Sequence, residues 1–196
     1  MRRASSAIGR GGVQPTIATR VRGKKGFGEL WTKQQQQQKK DVDSCPCGGG
    51  REKRSYRNCC APYHVNKKRA ETPDVLLRTR FSAYAKGKVE YVVNTTHRDN
   101  PAQVGSVVND KQLSTFQADV RATCKRVKFT ELNILQVEQE EEADQEADEA
   151  YVTFTCKATV TGQKGTRGTP ETMHERSKFV RENGTWTYLD GEVKWT

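Results

Sequence analysis

Apolar residues recur at helical spacing in the part of the chain that follows residue 70. Thr72 suits a helix N-cap and Pro73 suits the first helical position. From there apolar side chains return every three or four residues, and Gly87 suits the helix end. Two further helices are predicted over 89–97 and about 111–125. The apolar positions of the three helices are Leu76, Leu77, Phe81, Tyr84, Ala85, Val89, Tyr91, Val92, Val93, Leu113, Phe116, Val120 and Cys124.

Farther along the chain the hydrophobic pattern changes to alternation, which is typical of strands with one buried face. Strands are predicted over 129–137, 151–160, 174–182 and 185–190, and Asn183-Gly184 is a strong hairpin turn between the last two. Helices followed by a run of half-buried antiparallel strands predict an α+β fold, in which the helices pack on one face of a sheet.

Four of the six cysteines lie close together in the string CPCGGGREKRSYRNCC. Cys45 and Cys47 flank a proline, and Cys59 and Cys60 follow after eleven residues rich in glycine and basic side chains. Four thiolates are the ligand set of a tetrahedral structural zinc site. The pairs read CxC and CC, so a zinc-finger template with two residues inside each pair does not fit. The sequence predicts one structural Zn²⁺ ion held by these four cysteines.

The cysteines also have other interpretations. Disulfides could join them, although nothing in the chain resembles a secretory signal. They could be redox-active thiols, since a thiolate beside Arg57 and other cations would have a lowered pKa. His64, four residues after Cys60, could replace one thiolate because imidazole is a common zinc ligand. Cys124 and Cys156 lie on apolar faces and are predicted to be core residues.

The cysteine segment resembles the zinc-binding motif at the C-terminus of the bacterial translocation ATPase SecA, a motif known as a partner-docking element. The match rests on the CPCGGG start, Tyr56 and the final Cys59-Cys60 pair, although the loop between the pairs is longer than is usual in that family. The resemblance implies that the metal holds this loop so that its side chains face a partner. The side chains predicted to contact the partner are Arg51, Lys53, Arg54, Tyr56 and Arg57.

Charge is distributed unevenly along the 196-residue chain, whose formal net charge is +10. Residues 1–70 carry 17 basic and 4 acidic side chains, whereas residues 71–196 carry 17 and 20. Residues 1–40 are basic and rich in hydroxyl groups and end in a glutamine-rich linker. They are therefore predicted to be a disordered transit peptide for a plastid or mitochondrion, with an ordinary basic tail as the other interpretation. No run of about 18 apolar residues occurs, so no membrane span is predicted.

An acidic segment, 138–150, lies between the first two predicted strands. Its eight carboxylates repel one another, so the segment is predicted to be a solvated insertion. A specific calcium site is disfavoured because the segment lacks the glycine turn and the alternating ligands of a calcium-binding loop.

Over residues 43–194 the chain resembles the YchJ-like proteins. The resemblance rests on the cysteines, on the string LLRTRFSAYAKG followed by Thr96-His97, and on the string ERSKFVRENGTWTYLDG near the end of the chain. It implies that a nuclear-transport-factor-2-like domain follows the cysteine motif. That fold is a cone of about three helices packed on a curved antiparallel sheet around a pocket.

The resemblance also implies a division of the chain. The cysteine motif would occupy 43–66, and the α+β domain would occupy 70–194 with the acidic segment as an insertion. Relatives of this fold often dimerise through the sheet, so a homodimer is an open expectation.

Two classes of function are open. The first is a non-catalytic zinc-binding adaptor that presents its basic loop to a partner, with protein favoured over RNA. The second is a small-molecule-binding protein, or an isomerase-like or dehydratase-like enzyme, that uses the cone pocket. Catalysis there would need a general base and a polarising donor, and no spacing fixes a catalytic set. The candidate pocket residues are Tyr84, Tyr91, His97, Arg176 and Tyr188.

Overall fold

The computed structural model describes residues 44–50, 52–139, 148–161 and 168–196. The predictions for the N-terminal 40 residues, for Arg51 and for the centre of the acidic insertion lie outside the described residues.

Short helical elements surround one long helix. A 3-10 turn leads into the second cysteine pair, and a four-residue helix follows it. The long helix ends at Gly87, whose φ of 66° is left-handed and suits a residue without a side chain. The elements are the 3-10 turn Tyr56–Asn58, helix α1 over Ala61–His64, helix α2 over Pro73–Lys86, helix α3 over Val89–Asn94, the 3-10 turn Pro101–Val104, and helix α4 over Phe116–Arg126.

The helix predicted over 111–125 begins later than the apolar spacing indicated. Thr115 caps helix α4 by accepting a hydrogen bond from the Ala118 N–H, so the helix begins at Phe116. The residues before it form a small hairpin, β1 over Val107–Val108 and β2 over Lys111–Gln112. Leu113 is consequently 67% exposed instead of lying on the buried helix face, which corrects that part of the prediction.

The main sheet has four antiparallel strands in sequence order, which confirms the predicted α+β class. Each strand extends past the segment in which the alternation is clear, because pairing with its neighbour continues there. The strands are β3 over Val127–Gln139, β4 over Glu149–Val160, β5 over Glu171–Glu182 and β6 over Thr185–Trp195.

The main core lies between helix α2 and one face of the sheet, and it includes part of the cysteine segment. Apolar side chains from both layers and three cysteines of the cysteine segment form one buried cluster. Its buried members are Cys45, Cys47, Cys60, Leu76, Leu77, Phe81, Ala150, Val152, Phe154, Cys156, Phe179 and Trp186. The cysteine segment and the α+β domain therefore share a core.

The helical layer is joined to strand β6 by backbone hydrogen bonds. The His97 N–H donates to the Tyr188 carbonyl at 2.8 Å, and the Tyr188 N–H donates to the Thr95 carbonyl at 2.9 Å. The Asn100 amide adds a bond of 2.6 Å to the Leu189 carbonyl. Among the residues that the structure describes, no helix has the length and apolar character needed to cross a bilayer.

Candidate metal centre

The sulfur atoms of Cys45, Cys47, Cys59 and Cys60 converge on one point. All four lie within 4.8 Å of one another, and the closest pairs are 3.5–3.8 Å apart. Four sulfurs around a zinc ion, each about 2.3 Å from it, would be about 3.8 Å apart. All six cysteines of the chain are free thiols, so the interpretation as disulfides does not describe this arrangement. The cluster has the dimensions of a tetrahedral metal site.

A tight hairpin accommodates the long loop between the cysteine pairs. Ser44 and Ser55 pair as an isolated β-bridge, and the Cys45 N–H donates to the Arg54 carbonyl. At the tip, the Arg54 N–H donates to the Gly49 carbonyl at 3.2 Å. Gly49 has a φ of 70°, and a Cβ there would lie 2.4 Å from the Arg54 nitrogen. The loop therefore folds back on itself without moving the cysteine pairs apart.

Helix α2 supports the sulfur cluster from one side. The Ser82 hydroxyl lies 3.5 Å from the Cys45 sulfur, and the Cys60 thiol donates to the Arg78 carbonyl at 3.7 Å. The Arg78 guanidinium donates to the Cys47 carbonyl at 3.3 Å. Partners of this kind orient metal ligands from outside the coordination sphere.

His64 anchors the cysteine segment to helix α2 and is not part of the sulfur cluster. Its Nε2 lies 2.9 Å from the Thr79 carbonyl, which can only accept, so Nε2 carries the proton. Its Nδ1 then accepts from the Tyr56 hydroxyl at 2.8 Å. Burial lowers the pKa of His64, which favours this neutral form. Because both ring nitrogens are engaged, His64 does not replace a thiolate.

Hydrogen bonds inside the sulfur cluster give its thiols different pKa values. Those from Cys47 and Cys60 hold the pKa of the Cys45 thiol well below its ordinary value. The hydrogen bonds that Cys60 makes to Cys45 and Cys47 raise the pKa of Cys60, and burial raises the pKa of Cys59 to about 12. A bound cation would take the place of the shared protons, because metals bind cysteine as thiolate. The residues present thus fit a metal ion with four sulfur ligands.

The predicted partner-contacting side chains lie around the hairpin. Lys53, Arg54 and Arg57 are exposed, while Arg51 lies outside the described residues. Tyr56 is half-buried, with its hydroxyl bonded to His64 and its ring 5.2 Å from the Lys86 ammonium. The described cations of the hairpin therefore face solvent, whereas Tyr56 contacts His64 and Lys86 beneath the hairpin surface.

A groove of about 640 Å³ lies between the cysteine segment and the α+β domain. The cysteine segment supplies one wall, and the ends of α2 and α4 with the start of β3 supply the others. The acidic member of the lining, Glu131, pairs with the Lys157 ammonium at 2.7 Å. The basic members are Lys53, Lys86, Lys125 and Lys128, all exposed. We call this site the lysine groove.

Tyr84 and Tyr188 are the two predicted pocket residues that line a common cavity, between α2 and the sheet. Tyr91 lines a different cavity, with His64 and Trp186, and its hydroxyl is 2.7 Å from Thr79 Oγ1. Tyr91 therefore does not line the cavity that Tyr84 and Tyr188 share.

His97 and Arg176 are also placed away from the cavity of Tyr84 and Tyr188. His97 is buried at the junction of the helices with β6, where its Nε2 lies 3.1 Å from Glu182 Oε1. Arg176 lies over the Tyr151 ring on the other face of the sheet and pairs with Glu138 at 3.0 Å. Alternation in β5 explains this, because the flanking Glu175 and Ser177 point inward.

Glu175 lines the cavity of Tyr84 and Tyr188, and the sequence prediction of pocket residues missed it. Burial raises the pKa of its carboxyl group. The two-residue period of a strand predicts this position, because Glu175 lies on the same face of β5 as Met173, Ser177 and Phe179. An acidic residue at an inward-facing strand position indicates a candidate functional site.

Comparisons with known proteins agree with this architecture. The family model described as "YchJ, middle NTF2-like domain" matches residues 72–191. A UPF0225 protein of Deinococcus radiodurans is 37% identical over 147 residues, covering 74% of this chain and 86% of the relative. A UPF0225 protein of Serratia proteamaculans is 34% identical, covering 75% and 81%.

Two solved structures have a similar fold. A SEC-C motif containing protein from Rhodopseudomonas palustris superposes with a TM-score of 0.55 at 27% identity, covering 76% of this chain and 97% of that one. A sec-c motif containing protein from Psychrobacter arcticus superposes with a TM-score of 0.53 at 26% identity, covering 79% and 85%.

The relatives correct the predicted localisation. They are bacterial proteins, and bacteria have no plastid or mitochondrion, so the organellar address inferred from the N-terminal residues is wrong. The predicted resemblance is confirmed by the family match and by the cysteine cluster in front of it. The chain belongs to the YchJ-like, UPF0225 family, in which a SEC-C-type cysteine motif precedes an NTF2-like domain.

Proposed function

We propose that this protein is a non-catalytic adaptor in which one zinc ion fixes the cysteine segment and the adjoining lysine groove binds an acidic segment of a protein partner. The lysine groove is the observation that carries the proposal. It exists only where the cysteine segment meets helices α2 and α4, so a metal that holds the segment would also shape the groove.

The sulfur cluster supports a structural role for the metal. Cys45, Cys47 and Cys60 are at most 3% exposed, and the four sulfurs would supply all the ligands of a tetrahedral site. A catalytic zinc ion keeps one position open for water or substrate, whereas a structural one is closed by protein ligands. The chemistry of the donor set favours zinc, although iron is also stable with four thiolates.

The charges of the groove support an acidic partner. Lys53, Lys86, Lys125 and Lys128 surround one cavity, and the carboxylate of Glu131 is already paired with Lys157. A cleft lined by one sign of charge concentrates ligands of the opposite sign. RNA is the other polyanion that this surface could attract. Protein is favoured because Tyr56, the aromatic ring of the hairpin, is half-buried, with its hydroxyl bonded to His64 and its ring beside Lys86, so less of the ring is available for base stacking.

Metal analysis tests the first half of the proposal. We expect the purified full chain to contain one zinc ion, and we expect the thiols of Cys45, Cys47, Cys59 and Cys60 to resist titration until a chelator is added. One iron ion per chain would support the four-cysteine metal site and show that the bound metal is iron instead of zinc. A metal-free chain with the cysteines joined in disulfides would contradict the structural metal.

A binding titration tests the second half. The zinc-loaded full chain is titrated against a fluorescent poly-glutamate peptide and against a poly-uridine oligonucleotide of equal charge. We expect the double variant Lys125→Glu/Lys128→Glu to weaken peptide binding by about tenfold or more, since two attractive contacts become repulsive.

The matched control is Lys111→Glu/Lys194→Glu, which changes the net charge equally at exposed positions outside the lysine groove. It is expected to retain peptide binding. Equal losses in both double variants would show that binding follows net charge, and the groove would not be the site. Tighter binding of poly-uridine than of the peptide, with a steep salt dependence, would make RNA the partner class. The homodimer through the sheet stays a prediction, which sedimentation of the same samples would test.

A further inference from the structure

A second cavity, of about 190 Å³, lies inside the α+β domain between helix α2 and the inner face of the sheet. Most of its wall is aromatic or aliphatic, with a few polar side chains on the sheet, on α2 and on α4. The apolar and aromatic lining residues are Leu77, Phe81, Tyr84, Phe129, Phe154, Met173 and Tyr188. The polar lining residues are Arg80, Thr123, Glu175 and Ser177. This composition is that of a small-molecule site, with an apolar body and a few fixed polar groups.

The polar groups form a connected set around Glu175. Its Oε1 accepts hydrogen bonds from the Ser177 hydroxyl at 2.7 Å and from the Tyr188 hydroxyl at 3.2 Å. The guanidinium of Arg80 lies over the Tyr188 ring, 4.7 Å from its centre, and is itself 6% exposed. The carboxylate is therefore held in one orientation by groups that are themselves packed.

Part of this set has no protein partner. Among the described residues, Glu175 Oε2 and the Tyr84 hydroxyl have no hydrogen bond or ion pair, although both side chains line the cavity. Both groups are therefore available to bond to a molecule in the cavity. A ligand that donates to Glu175 Oε2 would use an acceptor that no side chain among the described residues occupies.

Gly191 on strand β6 leaves room for this arrangement. A Cβ at that position would lie 2.5 Å from Glu175 Oε1 and 2.7 Å from the Tyr188 hydroxyl. The carboxyl–tyrosine pair therefore occupies the space that any other side chain at position 191 would fill. The inward position of Glu175 therefore depends on a glycine of the neighbouring strand, which pairs with Ser177.

We infer that this cavity binds a neutral molecule with a single ring and a hydroxyl group, its ring among the aromatic walls and its hydroxyl bonded to Glu175. The volume of the cavity limits the ligand to a single ring, because about 190 Å³ holds roughly six waters at ~30 Å³ each. The charges of the lining favour a neutral ligand, because the cavity already holds one cation, Arg80, and one carboxyl group, Glu175, and a further buried charge would have no partner. When Glu175 is ionised, its free oxygen Oε2 can only accept, so it selects a molecule that donates a hydrogen bond.

Methyl NMR on methionine tests this inference with one reporter inside the cavity. The chain has two methionines, and Met173 lines the cavity while Met1 lies at the N-terminus. The full chain, labelled at the methionine methyl groups, is titrated with p-cresol, toluene and p-toluate. These probes share one ring and differ in a neutral hydroxyl, no polar group and a carboxylate. We expect p-cresol to shift the Met173 signal saturably and to bind about tenfold more tightly than toluene, with p-toluate weakest.

Two variants assign the preference to Glu175. Glu175→Leu keeps an inward side chain without the acceptor, so its affinity for p-cresol should fall to that for toluene. Arg176→Leu removes the neighbouring charged side chain on the outer face and should retain the preference. The inference is overturned if no probe shifts Met173, or if wild-type protein binds toluene as tightly as p-cresol. Retention of the preference in Glu175→Leu would overturn it as well. The wild-type comparison stands even if Glu175→Leu does not fold, and no outcome depends on the lysine groove.

Discussion

Gly49 is the residue on which the geometry of the long cysteine loop depends most directly. In Gly49→Ala the new methyl group would sit 2.4 Å from the Arg54 nitrogen and 2.6 Å from its carbonyl oxygen, at a φ of 70°. The hairpin must open to admit it, which strains the bond from Cys45 to Arg54. We expect a loss of about 1–3 kcal/mol in unfolding free energy and weaker metal retention in chelator competition.

Gly48→Ala is the matched control for that variant. Gly48 also has a positive φ, 83°, but a Cβ there meets nothing within 4 Å. Its cost is therefore the left-handed conformation alone, about 1 kcal/mol. Equal effects of the two substitutions would show that the close approach of Gly49 to Arg54 does not matter.

The buried carboxyl group of Glu175 should make stability depend on pH. Its folded-state pKa is raised above the ordinary 4.5, chiefly by burial, so folding favours the protonated form. That contribution is fully present below the unfolded-state pKa and is lost as the pH rises through the folded-state pKa. We expect Glu175→Gln to remove this loss, so that the unfolding free energy of the variant rises relative to that of wild type as the pH increases above the ordinary carboxyl pKa.

Urea unfolding at several pH values measures this effect. Glu192→Gln, which removes a carboxylate from an exposed position of β6, is the control and should follow the wild-type curve. A constant difference between Glu175→Gln and wild type at every pH would contradict the raised pKa. If Glu175→Gln became more stable than wild type only on acidification, the pKa of Glu175 would be lowered, not raised, by folding.

Residue types and spacing predicted one part of the candidate site and missed another. The four cysteines could be selected as a set because their chemistry is unusual and because they are near in sequence. Glu175 and Tyr188 meet through the pairing of β5 with β6, and the register shift between Lys178 and Phe179 decides which residues stand opposite. In β6 that shift moves the inward positions from Tyr188 to Gly191, and a glycine has no side chain by which the alternation could show the change. The pairing therefore had to come from the structure.

At the scale of elements, Arg80 connects helix α2 to the end of helix α3. Its Nη1 donates to the Val92 carbonyl at 2.9 Å and to the hydroxyls of Thr95 and Thr96 at 2.8 and 3.0 Å. A cation at a helix C-terminus also complements the helix dipole. Arg80→Met keeps the length of the side chain and removes the donors. We expect it to lower the unfolding free energy by about 2–4 kcal/mol, because bonds to a buried charged group are lost.

Arg121→Met on the exposed face of α4 is the control for this substitution and should change stability by less than about 0.5 kcal/mol. Chemical unfolding of both variants gives the comparison. If Arg80→Met were as stable as Arg121→Met, the contact between α2 and α3 would depend on apolar packing alone.

Element boundaries show what a periodic pattern can and cannot predict. Helix α2 was predicted over its full length, since Thr72, Pro73 and Gly87 mark both ends in the sequence. Helix α4 was predicted five residues too early, because Leu113 continues the apolar spacing whereas Thr115 supplies the cap. Local hydrogen bonding decided that boundary, and the apolar pattern carries no information about it.

For the whole molecule, the cysteine segment and the sheet should unfold together. Cys45, Cys47 and Cys60 belong to the same buried cluster as Phe154 and Phe179 of the sheet. A segment held only by a surface contact could lose its metal and leave the sheet unchanged. If a metal ion is bound, its loss would place unpaired thiols against the main core and remove the constraint on its edge. A metal ion held by the four cysteines would therefore be coupled to the sheet through packed side chains.

Metal removal tests this coupling by thermal unfolding, followed by the circular dichroism of the sheet. We expect a chelator, or the substitution Cys59→Ser, to lower the Tm of the sheet transition by several degrees, since ~1 kcal/mol corresponds to about 2–8 °C in domains of this size range. Cys124→Ser is the control, because Cys124 is a half-buried cysteine outside the sulfur cluster and should leave the metal content unchanged. An early, separate transition of the cysteine segment with an unchanged sheet Tm would show that the two parts fold independently. A single transition that moves with metal content would make the metal ion part of the stability of the whole fold.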